Sequence, residues 1–390
     1  MSTRSPVFAQ VMCALDPTEF NRCAQLFPDS RPPRGLSAYD HFLALCFAQL
    51  SQRDSLRDIQ TCLNARPDLK YHMGFRGRLT RTNLAYANAH RDWRVFAAIA
   101  EVLMRRAQRL YQNQKMDPEL PHLAFALDSS LIHLSLKLFP WAFFSKRQAI
   151  AVKLHTLFSL RGHLPAWAAI TEANLPDQKI MDAVPVQPGC FYIMDRGYLD
   201  FTRLHRIHLQ NGYFVVRSKC HVSFYVVTSR PVHKDIGLRC DQTIRLKSSW
   251  SKKQYPCALR RVRLRDEESG RSLVFLTNNF ELSAEVIAQL YKRRWQVELF
   301  FKWIKQHLRI RNFFGRTPNA VRCQVWSAVC TYLLVAITKK RLSLSQSLYE
   351  IMQILSVHAF EQTPLLQLLV KTTSEQPSAQ SQKTFEFNDL

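Results

Sequence analysis

The sequence predicts an α/β core built on a mixed sheet, an all-helical region ahead of it, and a β-rich stretch inserted into it. Three observations carry this prediction. Residues 1 to about 115 place apolar side chains at helical spacing behind capping residues. From His122 onward the pattern changes to apolar runs of strand length, bounded by glycine and proline turns. The runs follow the order strand, hairpin, helix, strand, helix, strand. An antiparallel hairpin joined to β-α-β units makes a mixed sheet with helices on both faces.

Taken in order, Ser37 caps a helical run to Leu50, and Ser55 opens another that Pro67 closes. A basic turn follows, with Arg76, Arg78 and Arg81, and then a long helix from about Thr82 to Tyr111. Asn83, Asn88, His90 and Arg91 in that helix can contact bases or phosphates. Helix, basic turn and helix suit a DNA-binding domain over residues 1–115, although many helical bundles carry basic turns. Met116 to Pro121 reads as an acidic linker.

The second unit spans 122–345. His122 to Leu134 is an apolar strand with Asp128 near its middle, and 155–160 with 166–171 form a hairpin. A short helix lies around Gln178 to Ala183. Cys190 to Met194 is a strand ending in Asp195 at a glycine turn. Leu199 to Leu209 is a helix, and Gly212 to Arg217 a strand. The ribonuclease-H-like fold has this order, with its first strand beside its later central strand. Asp128 and Asp195 are then expected at one sheet edge. Residues 219–278 are a basic β-rich insertion, after which Ser283 caps a helix. Further helices run from about Pro318 to Lys340 and from near Ser345 to Pro364, within a C-terminal stretch 346–390 whose tail from Thr372 is Ser/Gln-rich and disordered.

The chain has 390 residues, a formal net charge of +24 and 47% hydrophobic residues. A folded, strongly basic chain points to a polyanion, most simply nucleic acid. The longest apolar run, Val325 to Ile337, is too short to span a membrane, and the N-terminus shows no secretory apolar region. The ten cysteines include no C-x2-C pair, which argues against a zinc ribbon and fits a cytoplasmic protein. His205 and His208 read as surface residues.

The helix from Tyr291 to Lys305 organises the site. At about 100° per residue, Tyr291, Arg294, Glu298 and Lys305 fall within roughly 60° of one another on a single face. Val297, Phe300, Phe301, Ile304 and Leu308 make a separate apolar face. One carboxylate among cations suits a metal ligand beside a phosphate. The plainer alternative is an i,i+4 Arg294–Glu298 pair on a solvated face. With Asp128 and Asp195, Glu298 completes three acids suited to two divalent ions, Mg²⁺ or Mn²⁺. Asp128 then bridges both ions, Asp195 holds one and Glu298 the other. Asp195 could instead merely shape a turn, but an unpaired acid inside an apolar strand is costly to bury.

The spacing Tyr291-x2-Arg294-x3-Glu298-x6-Lys305 resembles the YREK signature of bacterial insertion-sequence transposases of the DDE type, in the insertion-sequence-four family. Leu127–Ser130, Phe139–Ala142, Ala151–Thr156, Met194–Asp200, Phe301–Leu308 and Asn319–Val321 also resemble that family. The resemblance covers roughly residues 35 to 345, with Gln49 to Asp58 similar to the helical domain that often precedes this catalytic domain. It implies metal-dependent cut-and-paste transposition, with strand cleavage at terminal inverted repeats, a hairpin intermediate and strand transfer to target DNA. Asp128, Asp195 and Glu298 then correspond to the metal-binding triad, and Tyr291, Arg294 and Lys305 to phosphate contacts. Relatives carry a β-rich insertion with a tryptophan that stacks on a flipped base. Trp250 is the tryptophan of 219–278, and Phe224, Tyr225 and Tyr255 stay open as alternatives. The family acts as a dimer on paired ends, so a homodimer on double-stranded DNA is implied. Ser129 and Ser130 depart from the small residues of many relatives, with no expected loss. A DNA-binding protein without catalysis and a general nuclease of the same fold are the competing readings.

Overall fold

The structure is a computed structural model that describes residues 5–29, 35–113, 123–134, 143–144, 149–219, 221–266, 270–308, 310 and 312–374. The linker at 116–121, the 139–142 motif and most of the expected tail lie outside them. The chain opens on helices α1 (Val7–Met12), α2 (Pro17–Gln25), α3 (Ala38–Leu50), α4 (Leu56–Asn64), α5 (Pro67–His72), α6 (Arg81–His90) and α7 (Arg94–Tyr111). Ser37 and Asp40 close a capping box at the start of α3. Pro67 both ends the preceding run and opens α5 at its first position, where its missing N–H costs nothing.

The long helix expected over Thr82–Tyr111 is two helices. Arg91 leaves helical geometry (φ −71°, ψ 129°) and turns inward. Its Nε donates to Asp29 at 2.8 Å and its Nη1 to the Ser37 carbonyl at 3.0 Å. Asn319 Nδ2, far along the chain, donates to the Asn88 and Arg91 carbonyls freed by the break, at 2.9 and 2.6 Å. Asn88 is buried and its Oδ1 lies 2.8 Å from His41 Nε2. Asn88 and Arg91 are therefore interior braces and not surface contacts for DNA.

Burial pushes the pKa of His41 down to about 3, with Arg91 adding to the effect. The unfolded ring titrates near 6.5. Below pH 6.5 the unfolded chain thus binds more protons, and stability is lost as pH falls toward 3. At pH 5 the loss is about 2 kcal/mol. Urea unfolding at pH 7 and pH 5 should show this extra loss in the wild type and not in His41→Gln.

The sheet is formed by β1 (Ala124–Leu134), β2 (Phe143–Phe144), β3 (Ala149–Ser159), β4 (Leu164–Glu172), β5 (Phe191–Met194), β6 (Tyr213–Arg217), β7 (Phe224–Arg230), β8 (Leu238–Leu246), β9 (Leu259–Arg265) and β10 (Ser272–Thr277). Helices α8 (Phe201–Leu209) and α9 (Ser249–Gln254) interleave, and α10 (Ala284–Lys292), α11 (Trp295–His307), α12 (Pro318–Arg341), α13 (Leu348–His358) and α14 (Leu365–Ser374) follow. The short helix expected near 178–183 is a 3₁₀ turn at Asp177–Asp182. Among the described residues the strand order is β2-β3-β1-β5-β6-β10-β9-β8-β7, with β4 on β3. β1, β5 and β6 run parallel and the hairpin strands antiparallel, as the element order predicts. The β-rich insertion does not stand apart. Its last strand, β10, pairs with β6 and so extends the central sheet.

One buried cluster joins the N-terminal helices, one sheet face and α11–α14. α12 packs on both α7 and α3. Residues 1–115 and 122–345 therefore share this core, while a second buried cluster, on the other sheet face, lies wholly within 122–345. By length and composition α12 could cross a membrane, more than the Val325–Ile337 run suggests, but 94% of its apolar window is buried inside the fold. It is the central core helix. Thr317 caps it, Pro318 takes its first position, and Lys339, Lys340 and Arg341 face its negative end. Ser347 caps α13, and α14 continues through the first residues of the expected tail, to Ser374.

Candidate active site

The site begins with strand register. β1 and β5 pair in parallel from Ala124–Phe191 to Leu127–Met194. The next residue on each strand is an acid, so Asp128 and Asp195 stand side by side where the pairing ends. Ligands of open α/β sheets bind beyond such carboxyl ends.

The third acid arrives on α11, but the single helix expected over Tyr291–Lys305 is two segments. Tyr291 lies in the last turn of α10, which ends at Lys292, Arg294 caps α11, and the N–H groups of Arg294 and Val297 reach back three residues, to Tyr291 and Arg294. These tighter bonds shift the helical phase at a place with no glycine or proline. Counting 100° per residue across the junction therefore fails as geometry, although Tyr291 and Arg294 still reach the two strand-end acids and Glu298 and Lys305 line one cleft with Asp128. The apolar face of α11, from Val297 to Leu308, is buried as expected.

Arg294 joins the acids. Its Nη1 donates to Asp128 Oδ2 and its Nη2 to Glu298 Oε1, both at 2.5 Å. The Tyr291 hydroxyl donates to Asp195 Oδ1 at 2.9 Å, and Arg217 Nη1 lies 3.8 Å from the same oxygen. Burial pushes Asp128 up to about 6. Arg294 and the Ser129 N–H oppose that shift, and Glu298 and Asp195 add to it. Tyr291 is pushed up to about 12 by burial and by Asp195. Burial lowers the pKa of Arg294, but Asp128, Tyr291 and Glu298 more than offset this, and it stays protonated. The site is thus a charge-dense knot in which one guanidinium serves two of three acids.

Lys305 lines a cleft of about 460 Å³ together with Asp128, Ser129, Ser130, Glu298 and Lys302. On the other side of Asp195, a groove of about 650 Å³ is lined by Arg196, Arg217, Lys219, His221, Phe224 and Arg261. As they lie, no three of the described His, Cys, Asp and Glu side chains are close enough to hold one ion. The donor chemistry nonetheless fits: three carboxylates offer hard oxygen ligands. Burial, with Glu298 and Asp195 nearby, disfavours the charge on Asp128 despite its pairing with Arg294, and a cation beside it would favour that charge. Glu298 is 57% exposed, and in this structure Arg294 holds it.

The remaining expected contacts scatter. Arg76 and Arg78 are exposed in the turn between α5 and α6 and Arg81 at the first position of α6, and Arg76 stacks on Tyr71 at 3.7 Å. Trp250 is 70% exposed on α9. Of its alternatives, Tyr255 is buried and its hydroxyl lies 2.7 Å from His208 Nδ1, which removes it as a base contact. Phe224 faces Arg261, and Tyr225 faces Lys252.

Sequence reasoning missed Arg217, Lys153, Asp177 and Ser129. Ser129 was expected to be neutral, yet its hydroxyl donates to Asp177 Oδ1 at 2.8 Å. Lys153 Nζ donates to the same oxygen at 2.9 Å. A lysine in the apolar run Ala151–Leu154 was the available signal, since a charge placed there needs a partner.

The sequence model of the transposase DDE domain matches residues 119–334. The chain belongs to the DDE transposase family. A second model, a domain of unknown function (DUF4372), matches residues 3–76. A chain of Sinorhizobium fredii that bears the name transposase y4zB is 35% identical over 261 residues, 66% of this chain and 71% of that one. A chain of Geobacillus stearothermophilus, named as a transposase for insertion sequence element IS5377, is 32% identical over 57% of this chain and 59% of that one. A piggyBac transposase synaptic complex with hairpin DNA superposes with a TM-score of 0.44 at 10% identity, covering 96% of this chain and 83% of that one, a likeness too loose to argue from. The DDE domain covers all three candidate acids, Tyr291, Arg294 and Lys305. It marks the chain as an insertion-sequence transposase, an enzyme that cleaves and joins DNA and uses divalent metal.

Proposed function

We propose that this transposase moves its element by cut-and-paste, with Asp128, Asp195 and Glu298 as ligands of two Mg²⁺ or Mn²⁺ ions. The observation that carries the reading is the convergence of Asp128 and Asp195 across β1 and β5, with Arg294 linking Asp128 to Glu298. When bound, such ions activate the attacking oxygen and stabilise the leaving one. Asp128, Asp195 and Glu298 would hold them through carboxylate oxygens. Arg294 then exchanges its carboxylates for a phosphate, to which a guanidinium donates in the same bidentate way. Tyr291 and Lys305 hold neighbouring phosphates, in keeping with the YREK pattern of the insertion-sequence-four family.

In this reading water nicks one strand at a terminal inverted repeat. The freed 3′-hydroxyl attacks a phosphodiester of the opposite strand and expels the flanking DNA through its 3′-oxygen, which leaves a hairpin on the element end, and water reopens that hairpin before strand transfer into target DNA. The basic groove beside Asp195, exposed Trp250, and Arg76, Arg78 and Arg81 supply further DNA contacts. The protein works as a homodimer on paired ends, in the cytoplasm on the nucleoid.

The test is cleavage of labelled duplex carrying the element's own ends, with Mg²⁺, against unrelated duplex. End-specific nicking followed by a hairpin supports the reading. Equal cutting of both duplexes makes the chain a general nuclease, and binding without cutting makes it an inactive DNA-binding protein.

A further inference from the structure

A second polar cluster lies behind the acids, on the other face of the sheet. Successive residues of a strand point to opposite faces. Ala124 and Ala126 belong to the core that includes α11, whereas Phe125 and Leu127 belong to the core beneath α8. By that alternation Asp128 shares the α11 face, and Ser129 faces the other way.

Three hydrogen bonds converge there. Ser129 Oγ and Lys153 Nζ both donate to Asp177 Oδ1, at 2.8 and 2.9 Å. Lys153 Nζ also donates to the Leu175 carbonyl at 2.9 Å. The Lys153 side chain is only 11% exposed, so Asp177 supplies the counter-charge that its burial requires. The hydroxyl of Tyr198, buried in the same face, lies within electrostatic reach of Asp128 and Asp177.

What this cluster steadies follows from the strand pairing. β1 is paired with β5 only as far as Leu127, but with β3 as far as Leu134. Among the described residues, β1 from Asp128 outward is gripped along one edge only. That is also the stretch whose backbone orients the acid, because the Ser129 N–H donates to Asp128 Oδ1 at 2.8 Å. Anchoring the Ser129 side chain to the Leu175–Asp177 turn restrains the backbone that makes this bond.

We propose that Lys153, Asp177 and Ser129 are positioning residues that set the Asp128 carboxylate from the opposite face of the sheet. The proposal rests on reading Asp128 as a metal ligand. Groups behind metal ligands hold them in the geometry that binds, and losing one typically weakens the metal about 10- to 100-fold. Because the effect passes through the backbone, about tenfold is expected here.

The experiment is a Mn²⁺ titration of the full chain, followed by electron paramagnetic resonance of the free ion, with thermal unfolding and metal-free DNA binding in parallel. Ser129→Ala and Lys153→Met are expected to weaken Mn²⁺ about tenfold. Ser129→Thr, which keeps the hydroxyl, should return close to wild type. Metal-free DNA binding and Tm should stay within error for both serine variants. Wild-type Mn²⁺ affinity in Ser129→Ala overturns the proposal while leaving the acids as ligands. In Asp177→Asn, weaker binding at an unchanged number of ions supports the proposal. A drop in the number of ions would overturn it, because Asp177 would then be a ligand itself. A wild-type protein that binds no Mn²⁺ would overturn the metal reading of the three acids, and this proposal with it.

Discussion

Glu298→Gln is expected to lower metal-dependent cleavage of the element's ends at least about 1000-fold, with little effect on end binding. A ligand of a catalytic ion supports several kcal/mol of transition-state charge stabilisation, and each 1.36 kcal/mol is tenfold in rate. The swap keeps the size of the side chain and the oxygen that accepts from Arg294 Nη2. It removes the charge and turns the second carboxylate oxygen into an NH2 donor. Glu298 is 57% exposed, so the fold should change by less than about 0.5 kcal/mol. Arg294 would still hold Asp128. The two measurements are cleavage of labelled ends with Mg²⁺ and a gel shift on the same ends without it. Cleavage within tenfold of wild type would remove Glu298 from the metal site. Equal loss of binding and cleavage would mean that Glu298 acts on DNA and not on metal.

The parts of this site that were legible in the sequence obey local rules. Asp128 is conspicuous because an acid in an apolar strand must have a purpose, and Asp195 because it ends a strand at a turn. The order of strands and helices was enough to place the two together. The parts that were not legible depend on partners remote in the chain. Arg91 breaks the α6–α7 helix because Asp29 and the Ser37 carbonyl draw it inward, and Asn319 satisfies the carbonyls left behind. No glycine or proline marks that break, nor the one between Tyr291 and Arg294. α12 reads as one more helix with an apolar run, Val325 to Ile337, until its position against α3 and α7 shows that it closes the core of the N-terminal helices. Lys153 is a different case. The argument that singled out Asp128, applied to a lysine within an apolar strand, would have singled it out too.

Asp241→Ala is expected to destabilise the protein by about 3–5 kcal/mol, the cost of removing one partner of a buried ion pair. Asp241 on β8 and Arg260 on β9 are 4% and 2% exposed. They meet in a two-pronged contact, Nε to Oδ1 and Nη2 to Oδ2, each at 2.8 Å. Without Asp241 the guanidinium keeps its charge and cannot reach water. Arg260 also donates through Nη1 to the carbonyls of Leu282 and Asn279, at 2.5 and 3.3 Å. That loop leads into the Ser283 cap of α10, the helix that delivers Tyr291 to Asp195. The insertion thus braces the catalytic helix through one buried arginine. Urea unfolding should show the midpoint falling with the slope unchanged. The double variant Asp241→Leu with Arg260→Met removes both charges, and should recover most of the stability, since a buried pair replaced by apolar residues is often neutral or better. It should not recover full cleavage, because the two loop carbonyls lose their donor. A single-variant cost under about 1 kcal/mol would mean the pair is hydrated in solution. Full cleavage by a stable double variant would mean that α10 finds its place without Arg260.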